Sequence, residues 1–385
     1  MLDADQDADR DGELSAAREE ATRVLAAWGM TPTEIQVVGA APGMAGTILR
    51  PVVELRGKRY LLRRQPPGLT AADLRFRHAF SDHLTRAGLP VPTLLARPDG
   101  ATCTITENGV YEAQEWLEGE PFASDEATAA TSMARVEAAG QMLGRLHQAS
   151  ADFSWQPHIW PEERSGDGLA RAYIGLMRQA AEHSGASAAV AHGLARIADA
   201  CEERREPASG ALATQPAPPQ LHIHGDYQPH NLRFTPVTPG APAAVSAIFD
   251  FDAARWDTRL LELAYSLLFI TGVRWDDPTA PTPPLVDDGL DILAARRYLG
   301  AYGREAPPAE DEAPLLGDAL ALVFPIVFVN GVAEDLIFPD DFEDTGSDEN
   351  ADEEDALARL HWADTFWLWL DRYRDALAQA WESGG

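Results

Sequence analysis

The chain has 385 residues, enough for two or three domains, with 45% hydrophobic and 24% charged residues, the proportions of an ordinary globular protein. Its charge is skewed: 31 Lys+Arg against 61 Asp+Glu leave −30 at pH 7, and Lys58 is the only lysine. So acidic a field repels nucleic acid and anionic lipid and offers no basic stripe, which argues against nucleic-acid and membrane partners. Cys103 and Cys201 lie too far apart for a metal-ligand pair and are too few for a disulfide framework, which fits a reducing cytoplasm, the expected location. The first residues, 1–13, carry six acids and neither a cationic start nor an apolar run, so they read as a disordered tail rather than a signal peptide. No uninterrupted apolar run approaches ~18 residues, and no transmembrane helix is expected.

In chain order, the spacing of Leu14, Ala17, Ala21, Val24, Leu25 and Trp28 predicts a helix over 14–28. Short β-prone runs follow at 35–38, 48–55 and 59–64, separated by the glycine-rich 39–46 and by a tight turn at Arg56-Gly57-Lys58. Residues 70–87 read as a helix capped by Thr70 and stopped at Gly88. Strands at 102–107 and 110–117 join at Asn108-Gly109, a strong hairpin signal. From Gly119 the texture turns helical, most clearly at 133–148 and 168–204, with a Pro- and Ala-rich surface loop at 205–220. A strand pair at 232–235 and 245–251 is embedded in this half, and helices return from Leu260. The run 340–355 holds ten acids and no base, and reads as an acidic flexible loop before an aromatic-rich helix carrying Trp362, Phe366, Trp367, Trp369 and Tyr373. The expected organisation is α+β: an antiparallel-sheet lobe over 14–118 and a larger, mainly helical lobe over 119–385.

One cluster carries chemistry. His224-Gly225-Asp226 is followed by Asn231, five residues after Asp226, and nineteen residues further on by Asp250-Phe251-Asp252 after an apolar strand. An aspartate, an asparagine five positions on and a second aspartate beyond a hairpin is the spacing of a phosphoryl-transfer centre of the protein-kinase type. Phosphoryl transfer needs positioning and charge neutralisation: a carboxylate to orient the attacking hydroxyl, and hard oxygen ligands for magnesium. An alternative use of His222, His224 and His230 is zinc binding, since residues two apart on a strand face the same way.

These motifs, with Ile248-Phe249-Asp250-Phe251-Asp252 and Glu262-Leu263-Ala264-Tyr265, resemble the aminoglycoside phosphotransferase and choline kinase superfamily. Tyr60-Leu61-Leu62-Arg63-Arg64, Gly88-Leu89-Pro90-Val91-Pro92, Tyr111-Glu112-Ala113 and Leu143-Gly144-Arg145-Leu146-His147 are similar to its type II homoserine kinase branch. The resemblance implies a two-lobed protein-kinase-like fold, ATP or GTP as donor, Asp226 as catalytic base, and Asn231 and Asp250 as Mg2+ ligands, with Asp252 an open second contact. It also implies that Gly43 and Gly46 approach the nucleotide phosphates, and that Arg63 stands where the phosphate-binding lysine usually does. In the hinge 114–119, with Glu115 and Leu117, backbone groups would hold the adenine, with Trp116 either stacked on the base or in the core. The family's helix glutamate falls on Arg77, which cannot pair with Arg63, and Asp73 is the alternative partner.

The expected activity is therefore transfer of the γ-phosphoryl group to a hydroxyl of an amino-alcohol, amino acid or aminoglycoside-like acceptor. The alternatives are a nucleotide-binding regulatory module without turnover and a protein kinase; the short segment between Asp252 and Leu260 leaves little backbone to dock a peptide. The acidic run 340–355 either attracts a cationic acceptor or is a solvated loop.

Overall fold

The computed structural model describes residues 15, 17–31, 36–42, 49–55, 57–65, 69–122, 129–155, 165–182, 187–214, 216–236, 242–272, 286, 289–338 and 349–384. The chain divides into two compact units between Glu118 and Gly119.

The first unit is a five-stranded antiparallel sheet of order β1-β2-β3-β5-β4, built from Gln36–Pro42, Leu49–Leu55, Lys58–Arg64, Gly109–Glu115 and Cys103–Thr106 respectively. Side chains alternate faces along a strand, so one face carries Val53, Leu62 and Ala113 and the other carries Arg63 and Glu112 beside Val52 and Leu61. Val53, Leu55, Leu62, Tyr111 and Ala113 pack with Ala21, Val24, Leu25 and Trp28 of the first helix, α1 (17–25, extended by a 3-10 turn to Trp28). Helix α2 (Ala71–Arg86) is started by a reciprocal capping box between Thr70 and Asp73. Its His78 reaches the second of these faces, where Nε2 lies 2.8 Å from Glu112 Oε2. The β4–β5 hairpin pairs Thr106 with Gly109, so its two-residue loop is Glu107-Asn108, one position earlier than the Asn-Gly signal implied.

The second unit is mainly helical: α3 (Ala129–Ala151), α4 (Gly166–Ala181), α5 (Ala188–Leu212), α6 (Arg259–Thr271), α7 (Ile292–Glu305), α8 (Leu316–Val327), the short α9 (Glu334–Ile337) and α10 (Glu349–Glu382). Two small antiparallel ladders sit among them. Strands β7 (Leu232–Phe234) and β8 (Val245–Ile248) form the hairpin expected from sequence, while β6 (Gln220–Ile223) pairs with β9 (Arg255–Thr258), a ladder the sequence did not signal.

Three expectations are corrected here. The long helix expected over 168–204 is two helices, with Ser187 capping the second through Val190 N–H. The stretch 205–220 is not wholly loop: α5 runs through Pro207 to Leu212, its last turns held by the buried Ala208. The acidic run is not wholly loop either, because residues 349–355 are the first turns of α10; residues 340–348 lie outside the described ones. Acids at a helix start complement its dipole.

The aromatic helix belongs to the core. Phe366 stacks on Phe324 at 4.4 Å, and Trp362, Trp367 and Trp369 are buried around it. The stretch Ala313–Val332, spanning α8 and the π-helical turn Phe328–Val332, is long and apolar enough to cross a membrane by length and composition, although Asp318 interrupts its apolar run. Of its most apolar window, 78% is buried inside the protein, as for a core helix.

Candidate active site

The segment from His224 to Asn231 leaves β6, crosses a tight bend and returns through a 3-10 turn, Pro229–Asn231, into β7. The bend needs glycine: Gly225 has φ +82°, and a Cβ there would collide with the Ala253 carbonyl. Opposite the loop, Asp250 follows β8 with φ 61° and ψ 70°, a left-handed conformation costly for a non-glycine residue, and its side chain caps the 3-10 turn Phe251–Ala253.

The two segments are tied together twice. His224 Nε2–H donates to the Phe249 carbonyl at 2.6 Å, while its Nδ1 accepts from Asp226 N–H at 3.2 Å. The Phe249 N–H donates to the Asn231 carbonyl at 2.9 Å, continuing the β7–β8 ladder by one step. Asn231 is thereby placed opposite Phe249, and so next to Asp250.

The Asp226 carboxylate is held by three side chains. Oδ1 accepts from Tyr265 OH at 2.6 Å and from Gln228 Nε2 at 2.9 Å; Oδ2 accepts from Asn231 Nδ2 at 2.8 Å. Asn231 Nδ2 also donates to the Asp226 carbonyl at 2.9 Å. With its amino group committed, Asn231 presents Oδ1, which accepts no hydrogen bond among the described residues. An amide oxygen of this kind beside a carboxylate is the hard-oxygen pair that magnesium takes when phosphates and water complete its octahedron. The donor set therefore fits Mg2+. Among the described residues no group of three or more His, Cys, Asp or Glu is placed to hold a metal, so the zinc reading of the three histidines fails. His222 is instead clasped edge-on by Phe153 and Trp256, each at 4.9 Å, and burial lowers its pKa to about 4.

Beneath the loop lies a buried charge that sequence reasoning noticed only as part of a family motif. Glu262 on α6 accepts from His224 N–H at 3.1 Å, Gly225 N–H at 2.5 Å and His147 Nε2 at 2.8 Å. His147 Nδ1 contacts Tyr302 OH at 2.8 Å, extending the chain to α7. Burial alone would raise the Glu262 pKa; the His147 hydrogen bond and charge, with His224 and the Gly225 amide, outweigh it and hold the carboxyl below its ordinary value. A lone acid in the apolar helix sequence Leu260-Leu261-Glu262-Leu263-Ala264 was the available signal. Arg255 pairs with Asp257 at 3.1 Å, and burial raises the Asp257 pKa despite that partner.

The remaining expected positions lie in the first unit. Gly43 and Gly46 fall outside the described residues. Arg63 is buried on β3, in register with Glu112 on β5, so the two share a sheet face. Asp73 is also buried, and its Oδ2 accepts from Thr70 in the capping box, while Arg77 is half-buried. At the end of β5, Glu115 N–H donates to Thr93 C=O and Trp116 N–H to Arg59 C=O, both at 2.8 Å, and Leu117 follows beyond the ladder. The Glu115 carboxylate is held by Thr93 Oγ1 and by Lys58 Nζ at 2.9 Å, which lower its pKa.

Residues 48–313, more than half the chain, match the model of the phosphotransferase enzyme family known as APH. The chain belongs to this family and is a phosphotransferase, built on the two-lobed protein-kinase-like fold. Among solved structures it is similar to a choline kinase from Cryptosporidium parvum Iowa II, 13% identical, with 94% of this chain and 97% of that one covered and a TM-score of 0.58. A microcompartment-associated aminopropanol kinase is 15% identical, with 94% and 98% covered and a TM-score of 0.57. An amicoumacin kinase is 15% identical, with 87% and 89% covered and a TM-score of 0.56. No curated protein sequence matches the chain significantly.

Proposed function

We propose that the protein transfers the γ-phosphoryl group of ATP, or GTP, to the hydroxyl of a small cationic acceptor of the amino-alcohol, amino acid or aminoglycoside kind. The single observation behind this reading is the Asp226–Asn231 contact: the Asn231 amino group clamps the carboxylate, and its amide oxygen accepts no hydrogen bond among the described residues. Asp226 orients the acceptor hydroxyl and receives its proton. The freed oxygen bonds to the γ-phosphorus as the bond to the β–γ bridging oxygen breaks, and the nucleoside diphosphate leaves. Asn231 Oδ1 and the Asp250 carboxylate would hold Mg2+, which when bound neutralises phosphate charge. Arg63 is assigned to the phosphates, and the backbone at Glu115 and Leu117 to the base. Gly43 and Gly46 are assigned to the phosphate turn on sequence alone.

Support for a cationic acceptor comes from the net charge of −30 and from relatives described as choline and aminopropanol kinases. The amicoumacin kinase was solved with AMP-PNP and Ca2+, which favours a nucleotide and divalent-ion site for this chain as well. The test is a screen of purified protein with magnesium and either nucleotide against amino-alcohols, hydroxy amino acids and aminoglycosides. Phosphate transfer to at least one of them is expected. Nucleotide-dependent thermal stabilisation with neither hydrolysis nor transfer would overturn turnover and leave a regulatory nucleotide-binding module.

A further inference from the structure

The two oxygens of Asp226 are not equivalent. A carboxylate oxygen has about two lone-pair sites. Oδ1 fills both, with Tyr265 OH at 2.6 Å and Gln228 Nε2 at 2.9 Å, whereas among the described residues Oδ2 receives only Asn231 Nδ2 at 2.8 Å. We propose that Tyr265 and Gln228 are positioning residues that lock Oδ1 into the scaffold, so that Oδ2 alone receives the acceptor's hydroxyl proton. This rests on the reading of Asp226 as the base.

Tyr265 is suited to the task. It lies on α6, three residues beyond Glu262, and i,i+3 residues share a helix face. One face of one helix therefore grips the loop at two points: the backbone amides of His224 and Gly225 through Glu262, and the side chain of Asp226 through Tyr265. The ring is buried and packs on Phe269 at 4.9 Å, which leaves its hydroxyl little freedom to turn away. Burial, then the Asp226 charge, raises the phenol well above its ordinary pKa, so it remains a donor. Gln228 comes from the loop itself and completes the pair on Oδ1.

A tyrosine hydroxyl bonded to the base also has a second meaning, that of a group contacting the acceptor. The two roles separate in steady-state kinetics. A positioning residue acts through Asp226 and lowers kcat with the KM of both substrates unchanged; a residue that binds the acceptor raises its KM. For Tyr265→Phe the expected result is a fall in kcat of about tenfold, with both KM values within about twofold of the parent. Gln228→Leu should fall in the same way by a smaller factor, and the two together should fall further than either. An unchanged kcat in Tyr265→Phe, or a raised acceptor KM at constant kcat, would overturn the proposal. If Tyr265→Phe does not fold, Gln228→Leu decides by the same criteria. Asp226→Asn is run beside them: turnover retained there sinks the assignment of the base, whereas loss there with Tyr265→Phe unaffected sinks only the positioning role.

Discussion

Two carboxylates, one in each unit, have pKa values held below the ordinary range for different reasons, and the contrast shows how the molecule divides its work. Glu262 has no exposed side-chain surface and is satisfied by His147 and two backbone amides, at a cost in desolvation that those partners must outweigh. Glu115 keeps 22% of its side chain exposed and is held by Thr93 and the exposed Lys58. The first contact is expensive to break, because its partners would be left buried and unpaired. The second is screened and replaceable. The loop bearing Asp226 is thus mounted on a buried platform, while the carboxylate at the end of β5 is held by contacts that reach the surface.

The largest departure from that contrast should come from Glu262→Leu. It strands His147 Nε2 and the amides of His224 and Gly225, and a destabilisation of about 3–5 kcal/mol is expected in denaturant unfolding. A loss under about 1 kcal/mol would show that the platform is not the anchor described. Because the Glu262 pKa is depressed in the folded state, its contribution is present above the unfolded carboxyl pKa, about 4.3, and is lost as pH falls below it toward the folded value.

His222 gives an intermediate effect with its own pH window. Its folded pKa of about 4 lies below the unfolded value of 6.5, so the unfolded state binds more protons between them and stability falls as pH drops from about 6.5 to about 4. The shift is at most about 3 kcal/mol by the end of that window. His222→Phe, which keeps a ring between Phe153 and Trp256, should flatten this part of the stability–pH curve; an unchanged slope would contradict the account. The smallest effect is expected from Lys58→Ala, which removes the exposed partner of Glu115. Its melting midpoint should match the parent's at low and high salt, and a salt-sensitive drop would mean the end of β5 is held more tightly than its exposure implies.

What could be read from sequence divides along the range of the interactions involved. The cap of α2 was legible because Thr70 and Asp73 are three residues apart and the signal is local. The β7–β8 hairpin was legible from its apolar runs. The β6–β9 ladder joins two four-residue strands more than thirty residues apart, with no periodicity to find. At 205–212 composition misled: proline and small residues suggested a loop, but packing of Ala208 carries the helix onward, a tertiary override of local preference. The same division runs through the site. The candidate residues Asp226, Asn231 and Asp250 stood out by their spacing along the chain. Gln228 drew no role although its partner Asp226 is two residues away, and His147 and Tyr265 drew none because their partners Glu262 and Asp226 are brought near only by folding.

The most direct test of the central claim is single-turnover phosphate transfer by Asp226→Asn, with nucleotide binding followed in the same samples. Asparagine keeps the side chain's size and an acceptor oxygen but cannot take the hydroxyl proton. Loss of transfer by about 10²–10⁴-fold is predicted, with nucleotide and magnesium affinity close to the parent's. Transfer at the parent's rate would contradict the account and move the base elsewhere.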